Sequence, residues 1–229
     1  MFYWRAEVSA GVSVAFTDTR AGNLALHVGD NAVDVLQRRK ALENAAGMVN
    51  GSLRFMEQVH GIAVEMMEPA TPAPTADALV SRGLPLAVMV ADCIPAVLVG
   101  KGPDGPVLAA VHAGRPGLEN GILPAAVERM RSVGATRIRA WLGPSICGGC
   151  YEVPAGLRAR VAARVPATWA ATTWGTPALD LPAGARSQLE AAGVVIEYAG
   201  PCTLENDQLF SYRRSSTTGR FVGLVWSHE

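Results

Sequence analysis

Three short apolar runs near the middle of the chain constrain its fold more than any other feature. Residues 84–91, 96–99 and 107–112 contain almost no polar side chains. Strands that are buried on both faces have this composition, whereas a strand with one face in water alternates polar and apolar residues. The runs therefore predict a sheet that is covered on both sides.

Helical and strand patterns alternate along the rest of the chain. The spacing of apolar residues predicts helices over residues 32–46, 117–133, 155–164 and 182–192. The remaining strands are predicted at residues 8–16, 53–58, 62–66, 137–142, 194–198 and 221–226. No loop divides the chain into separate cores, so we expect one domain over 1–229. Its fold class is α/β or α+β, with a mixed β-sheet flanked by helices.

Two of these helices carry apolar residues that indicate a buried side. Helix 32–46 is expected to bury Val33, Leu36 and Leu42 on one face. Helix 117–133 is expected to bury the stripe Leu118, Ile122, Val127 and Met130.

The charge balance excludes several classes of partner. Lys plus Arg equals Asp plus Glu at 20 each, and only 17% of residues are charged against 49% hydrophobic. A net charge of zero removes the electrostatic reason to expect a nucleic acid or an acidic membrane. The most apolar stretch, residues 84–99, is interrupted and is shorter than the roughly 20 residues of a membrane span. We therefore expect a soluble, cytoplasmic protein with reduced thiols, acting on a small molecule as a monomer or small homo-oligomer.

Three soft metal ligands lie at predicted turns and strand ends. His60 follows Gln58 in a turn, Cys93 lies between two apolar runs, and His112 ends the third run. Two imidazoles and one thiolate make a three-ligand zinc set with an open fourth position, which is the catalytic arrangement. Their wide sequence separation leaves open the alternative that each is a structural residue.

Several other residues are candidates for binding or proton transfer. Asp92, next to Cys93, is a candidate acid or base, or a group that orients a ligand. Gly114 and Arg115 follow the third apolar run, where a strand turns into a helix whose N-terminus suits a phosphate. Arg213 and Arg214 offer a second anion-binding pair. An ordinary connection and a solvated basic pair are the alternatives.

The remaining thiols and imidazoles carry weaker signals. Cys147 and Cys150 form a CxxC motif, which serves in redox pairs or in half of a zinc site. No second CxxC follows, so we interpret the segment as a glycine-rich loop with two incidental thiols. Cys202 has no evident partner in the sequence. His27 is interpreted as a structural residue of a loop.

A series of short motifs, taken in order, resembles the YfiH-type laccase-domain family, also called the multicopper polyphenol oxidase family. The motifs are Asn23-Leu24, His27-Val28-Gly29-Asp30, Gln58-Val59-His60-Gly61, Ala76-Asp77-Ala78-Leu79-Val80, Ala91-Asp92-Cys93-Ile94-Pro95, His112-Ala113-Gly114, Gly143-Pro144-Ser145-Ile146, Tyr151-Glu152-Val153, Cys202-Thr203 and Phe210-Ser211-Tyr212-Arg213-Arg214. Each motif is short, but the ordered set is specific and extends from about residue 23 to 225.

The resemblance implies a fold related to the deamidase domain of cytotoxic necrotising factor toxins. It also implies a zinc site of His60, Cys93 and His112, the same three residues that the chemistry selects. Family members are described as enzymes that phosphorolyse adenosine, inosine and methylthioadenosine and deaminate adenosine. The family usually continues His-Ala-Gly with Trp-Arg-Gly, whereas this chain has Arg115 and Pro116, so Arg115 is a phosphate ligand only by analogy.

Three alternatives to a zinc-dependent purine nucleoside phosphorylase remain at this point. A metal-free cysteine hydrolase would use Cys93 as nucleophile with a histidine base. A copper oxidase, implied by the family's older name, needs far more imidazoles than the four in the sequence. A zinc-stabilised binding module would close the site with a fourth protein ligand, for which Cys202 and Cys147 are candidates.

Overall fold

The computed structural model describes residues 1–228 and contains twelve strands, five α-helices and two short 3₁₀ helices within them. The strands, in chain order, are β1 (Phe2–Ser9), β2 (Val12–Thr17), β3 (Val64–Met67), β4 (Ala78–Ser81), β5 (Leu86–Val90), β6 (Ile94–Lys101), β7 (Pro106–Ala113), β8 (Thr136–Leu142), β9 (Trp169–Ala171), β10 (Pro177–Leu179), β11 (Val195–Ala199) and β12 (Phe221–Ser227). The helices are α1 (Ala32–Ala46), α2 (Arg115–Asn120), α3 (Ile122–Ser132), α4 (Ala155–Arg164) and α5 (Leu181–Ala191).

The strands form two main sheets and one small ribbon. A six-stranded mixed sheet has the order β11-β8-β6-β7-β4-β3, with parallel pairs only at its two edges. A four-stranded antiparallel sheet has the order β1-β2-β12-β5. Strands β9 and β10 form a two-stranded antiparallel ribbon. The predicted α+β fold with a mixed sheet is therefore confirmed.

The apolar strand β6 shows how the layers arise. Ala96 and Leu98 face the helices, while Val97 and Val99 face the four-stranded sheet. Because side chains alternate along a strand, an all-apolar strand can cover two cores at once. The two sheets therefore pack face to face, and helices α3 and α5 cover the outer face of the larger sheet.

Helix α1 covers the outer face of the smaller sheet, but not with the predicted residues. Its bounds agree with the prediction, and Leu42 is buried as expected. Val33 and Leu36 are 61% and 55% exposed, so their predicted burial is wrong. Glu43 is buried instead, because its carboxylate accepts hydrogen bonds from two backbone N–H groups of the following loop, each at 2.8 Å.

Two other predicted elements divide in the structure. The predicted strand 8–16 is a hairpin of β1 and β2, because the chain turns at Gly11, which has a φ of +69°. The predicted helix 117–133 is two helices, α2 and α3, separated by Gly121 with a φ of +92°. Its predicted buried stripe is confirmed, since all four side chains are at most 1% exposed.

Segment 53–58 makes only isolated bridges rather than a strand, and β4 was not predicted. Within residues 1–228, no helix combines the length and the apolar composition that crossing a bilayer requires.

The fold brings distant turns to one place. The turn between β5 and β6, which carries Cys93, crosses from the small sheet to the large one. His112 lies in β7 opposite Pro95 of β6, so both residues are at the same end of the hairpin. His60 lies in the loop that precedes β3. Three segments that are far apart in sequence therefore meet where the two sheets join.

Candidate active site

A cavity of about 380 Å³ lies at this junction. This volume falls within the range of small-molecule sites. The cavity is lined by His27, Gln58, His60, Met89, Val90, Ala91, Asp92, Cys93, His112, Arg115, Ile146, Tyr151, Leu181, Tyr212, Arg213 and Arg220. Every predicted site residue except Gly114 and Arg214 is in this set.

His60, Cys93 and His112 form a compact cluster in the cavity wall. One ligand atom from each lies within 4.8 Å of the others, and His60 Nε2 is 3.8 Å from Cys93 Sγ. The two imidazole rings meet edge to face with centroids 4.7 Å apart. His112 is buried, whereas Cys93 is half-buried and His60 is exposed. The cluster therefore opens on one side toward the cavity.

Asp77, directly before β4, is hydrogen-bonded to both histidines. Its carboxylate is fully buried and lies 2.7 Å from His112 Nδ1. It also accepts hydrogen bonds from the backbone N–H groups of His60 at 2.9 Å and Gly61 at 2.6 Å. Because Asp77 occupies Nδ1 of His112, the other nitrogen, Nε2, is the one that remains for a ligand.

Local backbone geometry brings the cluster together. His60 has a φ of +60°, a left-handed conformation that costs free energy in a non-glycine residue and that the hydrogen bonds to Asp77 offset. Gly114 lies against the ring of His60: a Cβ on Gly114 would be 2.6 Å from His60 Cδ2 and 3.3 Å from Cys93 Sγ. Gly114 therefore contributes space for the cluster, whereas we predicted it as a phosphate-binding residue.

The electrostatics of the cluster favour a thiolate. Burial by itself would raise the pKa of the Cys93 thiol, but the charge of His112 and hydrogen bonds from both imidazoles lower it to about 6. Burial likewise would lower the pKa of His112, but the Cys93 thiolate and Asp77 raise it to about 9. A thiolate is the form of cysteine that binds metals and attacks electrophiles.

Asp92 lines the cavity with both carboxylate oxygens engaged. One oxygen accepts a hydrogen bond from the Thr203 hydroxyl at 2.6 Å, and the other accepts one from the Arg213 backbone N–H at 2.6 Å. Its φ of +86° places it in a strained region. This arrangement suits a group that positions two loops beside Cys93 better than a free acid or base.

Three arginines surround the cavity. Arg115 is half-buried and donates to Glu119 at 3.0 Å. The guanidinium of Arg213 lies over the ring of Tyr151, 5.1 Å from its centroid. Arg220, which we did not predict, donates to two backbone carbonyl groups of its own loop at 2.7 and 3.1 Å. Asp92 is the only carboxylate residue among the lining residues of the described chain, so the cavity favours an anion.

Arg214 is not brought to the site. Its guanidinium donates to the carbonyl oxygens of Thr203, Leu204, Asn206 and Leu209. These bonds fix the loop next to the cavity and leave the side chain directed away from it. The predicted anion-binding role of Arg214 is therefore replaced by a structural one.

The predicted helix N-terminus is also a weak anion site. Helix α2 has only six residues, and Pro116 in its first turn lacks a backbone N–H. Any phosphate ligand at this turn is therefore the Arg115 side chain rather than the helix backbone.

Sequence reasoning missed several residues of the site. Asp77 was part of a quoted motif, but its role appears only when the loop around His60 folds against it. Tyr151 belonged to another motif without an assigned role. His27, interpreted as structural, lines the cavity. Gln58 pairs through its side-chain amide with the backbone of Met89, at 2.7 and 2.8 Å, and so fixes the start of the His60 turn.

The other three cysteines form a separate group. Sulfur atoms of Cys147, Cys150 and Cys202 lie within 4.8 Å of one another and of a Glu205 oxygen. They are therefore not placed to be the fourth ligand of the His60–Cys93–His112 cluster. Cys147 and Cys150, which we interpreted as incidental thiols of a loop, lie together with a third thiol. Cys202, which had no evident partner in the sequence, has two.

The donor set of the main cluster fits a zinc ion. Two imidazoles and a thiolate at this spacing are borderline-soft ligands of the kind that zinc prefers, and the open side leaves a coordination position free. The hydrogen bond from His112 to a buried carboxylate is the usual outer partner of a metal-bound imidazole.

Comparisons with known proteins show which family the chain belongs to. A family model described as multi-copper polyphenol oxidoreductase laccase matches residues 5–228. The chain is 44% identical to a protein of Streptomyces griseus named purine nucleoside phosphorylase ORF3, over 96% of each chain. It is 45% identical to purine nucleoside phosphorylase SCO2081 of Streptomyces coelicolor, over 94% of this chain and 96% of that one.

Solved structures show the same fold. Protein NMB0706 of Neisseria meningitidis superposes with a TM-score of 0.85 at 30% identity, over 100% of this chain and 99% of that chain. YlmD of Geobacillus stearothermophilus superposes with a TM-score of 0.84 at 29% identity, over 96% and 93%. Because the family model matches residues 5–228 and relatives above 40% identity cover nearly the whole chain, this chain belongs to the multi-copper polyphenol oxidoreductase laccase family.

Proposed function

We propose that this protein is a zinc-dependent purine nucleoside phosphorylase that also deaminates adenosine. The observation that carries the proposal is the composition of one cavity. A three-donor metal cluster forms one wall, and three arginines with a single, fully engaged carboxylate surround the rest. The names of the Streptomyces relatives support the choice of substrate.

Phosphate binding is assigned to the arginines of the cavity. Arg115 and Arg213 present guanidinium groups, which match phosphate oxygens in bidentate geometry. Arg115 is the preferred candidate for the phosphate ligand because its ion pair with Glu119, also in α2, holds the guanidinium at the cavity edge. Substrate phosphate would add a second set of oxygens to this arginine.

The purine base is assigned to the aromatic and apolar part of the cavity. Tyr151 and Tyr212 offer ring faces, and Met89 and Ile146 provide apolar contacts. In phosphorolysis a phosphate oxygen forms a bond to C1′ of the ribose as the bond from C1′ to the base nitrogen breaks. The base leaves with the bonding electron pair and takes up a proton, which gives ribose 1-phosphate and the free base.

The cluster would serve the deaminase reaction most directly. In that reaction water replaces the amino group of adenine and ammonia leaves. Zinc held by His60, Cys93 and His112 would supply a Lewis acid that activates water near neutral pH. Asp77 orients His112 for this role, and Asp92 holds the two loops that close the cavity beside Cys93.

A second candidate, the metal-free cysteine hydrolase, is favoured by one specific observation. His112 lowers the pKa of Cys93 to about 6, which makes the thiolate the main form near neutral pH. A thiolate beside an imidazolium is the nucleophile of many hydrolases. The same two residues serve both functions, so metal content separates the candidates.

The test measures metal content and turnover on the same purified samples. Metals are quantified by mass spectrometry in the wild type and in Cys93→Ser. Adenosine turnover is followed by chromatography with phosphate, for free adenine, and without phosphate, for inosine. Loss of zinc from this cluster together with loss of both activities in Cys93→Ser supports the proposal. Activity that persists without metal yet depends on Cys93 overturns it in favour of the hydrolase.

The arginine assignment has its own matched test. Arg115→Gln should raise the KM for phosphate about 10- to 100-fold, the effect of losing one charge-assisted contact. Arg115→Lys should restore part of the loss because it keeps the charge. The control is Arg129→Gln on the exposed face of α3, which should leave the KM unchanged. An unchanged KM in Arg115→Gln would remove Arg115 from the phosphate site.

A further inference from the structure

We propose that Cys147, Cys150, Cys202 and Glu205 form a second zinc site, closed by four protein ligands and structural in role. The site is separate from the His60 cluster. It lies where the loop after β8 meets the loop after β11. The site is independent of the reaction that the protein catalyses.

The spacing of the four ligand atoms is the main observation. All lie within 4.8 Å of one another. Four ligands at zinc bond lengths of about 2.0–2.3 Å in a tetrahedron are about 3.3–3.8 Å apart, so only a small contraction is needed. A disulfide would engage two of the thiols and leave the third thiol and the carboxylate without a role. The convergence of all four atoms therefore favours a metal ion.

The backbone brings the ligands together from two segments. Cys147 and Cys150 belong to one tight turn, in which the Cys150 N–H donates to the Cys147 carbonyl at 3.1 Å. The second segment is attached through Ser145, whose carbonyl accepts from the Thr203 N–H at 3.1 Å. Both pairs of ligands are thus held in place by main-chain bonds outside the cluster.

Contacts inside the cluster are those of a ligand set. The Cys147 N–H donates to Cys202 Sγ at 3.4 Å, so this sulfur accepts a main-chain hydrogen bond from the other segment. The Cys150 thiol donates to a Glu205 oxygen at 3.3 Å, so these two ligand atoms already face each other, and a metal ion bound between them would displace the thiol proton. Cys150 and Cys202 are 5% and 9% exposed, whereas Glu205 is exposed. The ion would enter from the Glu205 side.

The chemistry of the set selects the metal. Thiolates favour zinc and other soft ions over magnesium or calcium, and a carboxylate is an accepted fourth ligand of zinc. With every position taken by protein, no site remains for a substrate. Such a zinc contributes to folding rather than to chemistry.

The position of the site gives it a consequence for the cavity. Ile146 and Tyr151, on either side of the cysteine turn, line the cavity. Ile146 donates its N–H to the Asp92 carbonyl at 2.9 Å, and Thr203, beside Cys202, donates to the Asp92 carboxylate. An ion that joins the two segments would therefore hold one wall of the cavity in position.

Metal counting in four proteins tests the proposal. Wild type, Cys93→Ser, Cys150→Ser and the double variant are purified with reductant and analysed for zinc per chain. With both sites occupied we expect about two, one, one and zero zinc ions. If the His60 cluster binds no zinc, Cys93→Ser retains its single ion and Cys150→Ser has none, so the two proposals fail independently. Cys150→Ser that keeps the full zinc content overturns the second site.

If Cys150→Ser does not fold, a less disruptive variant and a spectroscopic measurement test the proposal instead. Glu205→Gln changes an exposed ligand and should speed transfer of one zinc to a chelator at least about tenfold. Asp207→Asn, on a fully exposed neighbour, is the control and should not.

Cobalt bound to Cys93→Ser should show intense sulfur-to-cobalt charge-transfer bands from the remaining thiolates. Their absence overturns the site, as does bound iron with visible absorption. A metal-free wild type with a disulfide among these cysteines, made under reductant, would overturn it as well.

Discussion

Replacing Asp77 should damage both the stability of the fold and the His60 cluster. Its buried carboxylate accepts from His112 at 2.7 Å, Gly61 at 2.6 Å, His60 at 2.9 Å and Val59 at 3.3 Å. The first two contacts are the shortest, and each donor left buried without a partner costs about 1–3 kcal/mol. Val59 and His60 lie in an exposed stretch, so water can replace the carboxylate there at lower cost.

Asp77→Ala should therefore lower the free energy of unfolding by about 3–5 kcal/mol. That is a large share of the roughly 5–15 kcal/mol that a domain has in total, so the alanine variant will be difficult to purify. Asp77→Asn keeps the shape and one acceptor oxygen. It should fold, and it should weaken zinc binding about 10- to 100-fold because His112 loses its carboxylate partner.

Urea denaturation gives the stability, and competition with a coloured chelator gives the zinc affinity. Asp104→Asn, on the exposed turn between β6 and β7, is the matched control and should change neither. A zinc affinity of Asp77→Asn within about twofold of wild type would refute the role of this carboxylate in the cluster. A loss of less than about 1 kcal/mol of unfolding free energy in Asp77→Ala would refute its role in stability.

Three further substitutions test other parts of the structure. Gly114→Ala would place a Cβ 2.6 Å from the His60 ring, so the variant should fold but lose zinc from the cluster. Gly156→Ala, whose added Cβ has no atom within 4 Å, is the control and should retain zinc; metal analysis of both purified variants tests this. Glu43→Ala leaves the buried N–H of Leu53 and the exposed N–H of Gly51 without their acceptor. It should lower the free energy of unfolding, measured by urea denaturation, by about 1–3 kcal/mol, and a loss below about 0.5 kcal/mol would contradict the assignment. Burial alone would raise the pKa of Asp18, but hydrogen bonds from the Arg20 guanidinium lower that pKa below its ordinary value of 3.8. The ionised Asp18 carboxylate therefore stabilises the fold fully at neutral pH, and this stabilisation is lost as the pH falls through the pKa of Asp18 in the folded protein. The difference in unfolding free energy between wild type and Asp18→Asn, measured by urea denaturation at several pH values, should decrease below about pH 4. A difference that stays constant with pH would contradict this prediction.

Local signals predicted several elements closely. The bounds of α1 and α4 agree with the prediction, and Asn31 caps α1 by accepting from the Val33 N–H at 2.8 Å. The prediction of the buried side of α1 failed for Val33 and Leu36 because hydrophobic residues also occur on protein surfaces. The loop after α1 instead buries Glu43 by hydrogen bonding to it.

The main cluster could be predicted as a list of residues but not as a site. Its members are spread over more than fifty residues, and only the crossing of the chain between the two sheets joins them. Asp77 acts through a loop that folds around it, and Arg214 is turned away by carbonyl groups that no motif reveals. The thiol cluster escaped prediction for the same reason, since Cys202 is joined to Cys147 only by contact between loops.

The hairpin of β6 and β7 also indicates where a peptide or domain can be inserted without disturbing the cavity. Eight residue pairs fix its register, from Ile94 and Ala113 at the end beside the cavity to Lys101 and Pro106 at the other. A shift of one residue within the strands would move His112 to the opposite face. The turn at Pro103 lies about 25 Å away along the strands, so an affinity tag or a fluorescent reporter inserted there should leave the register, and with it the chemistry, unchanged.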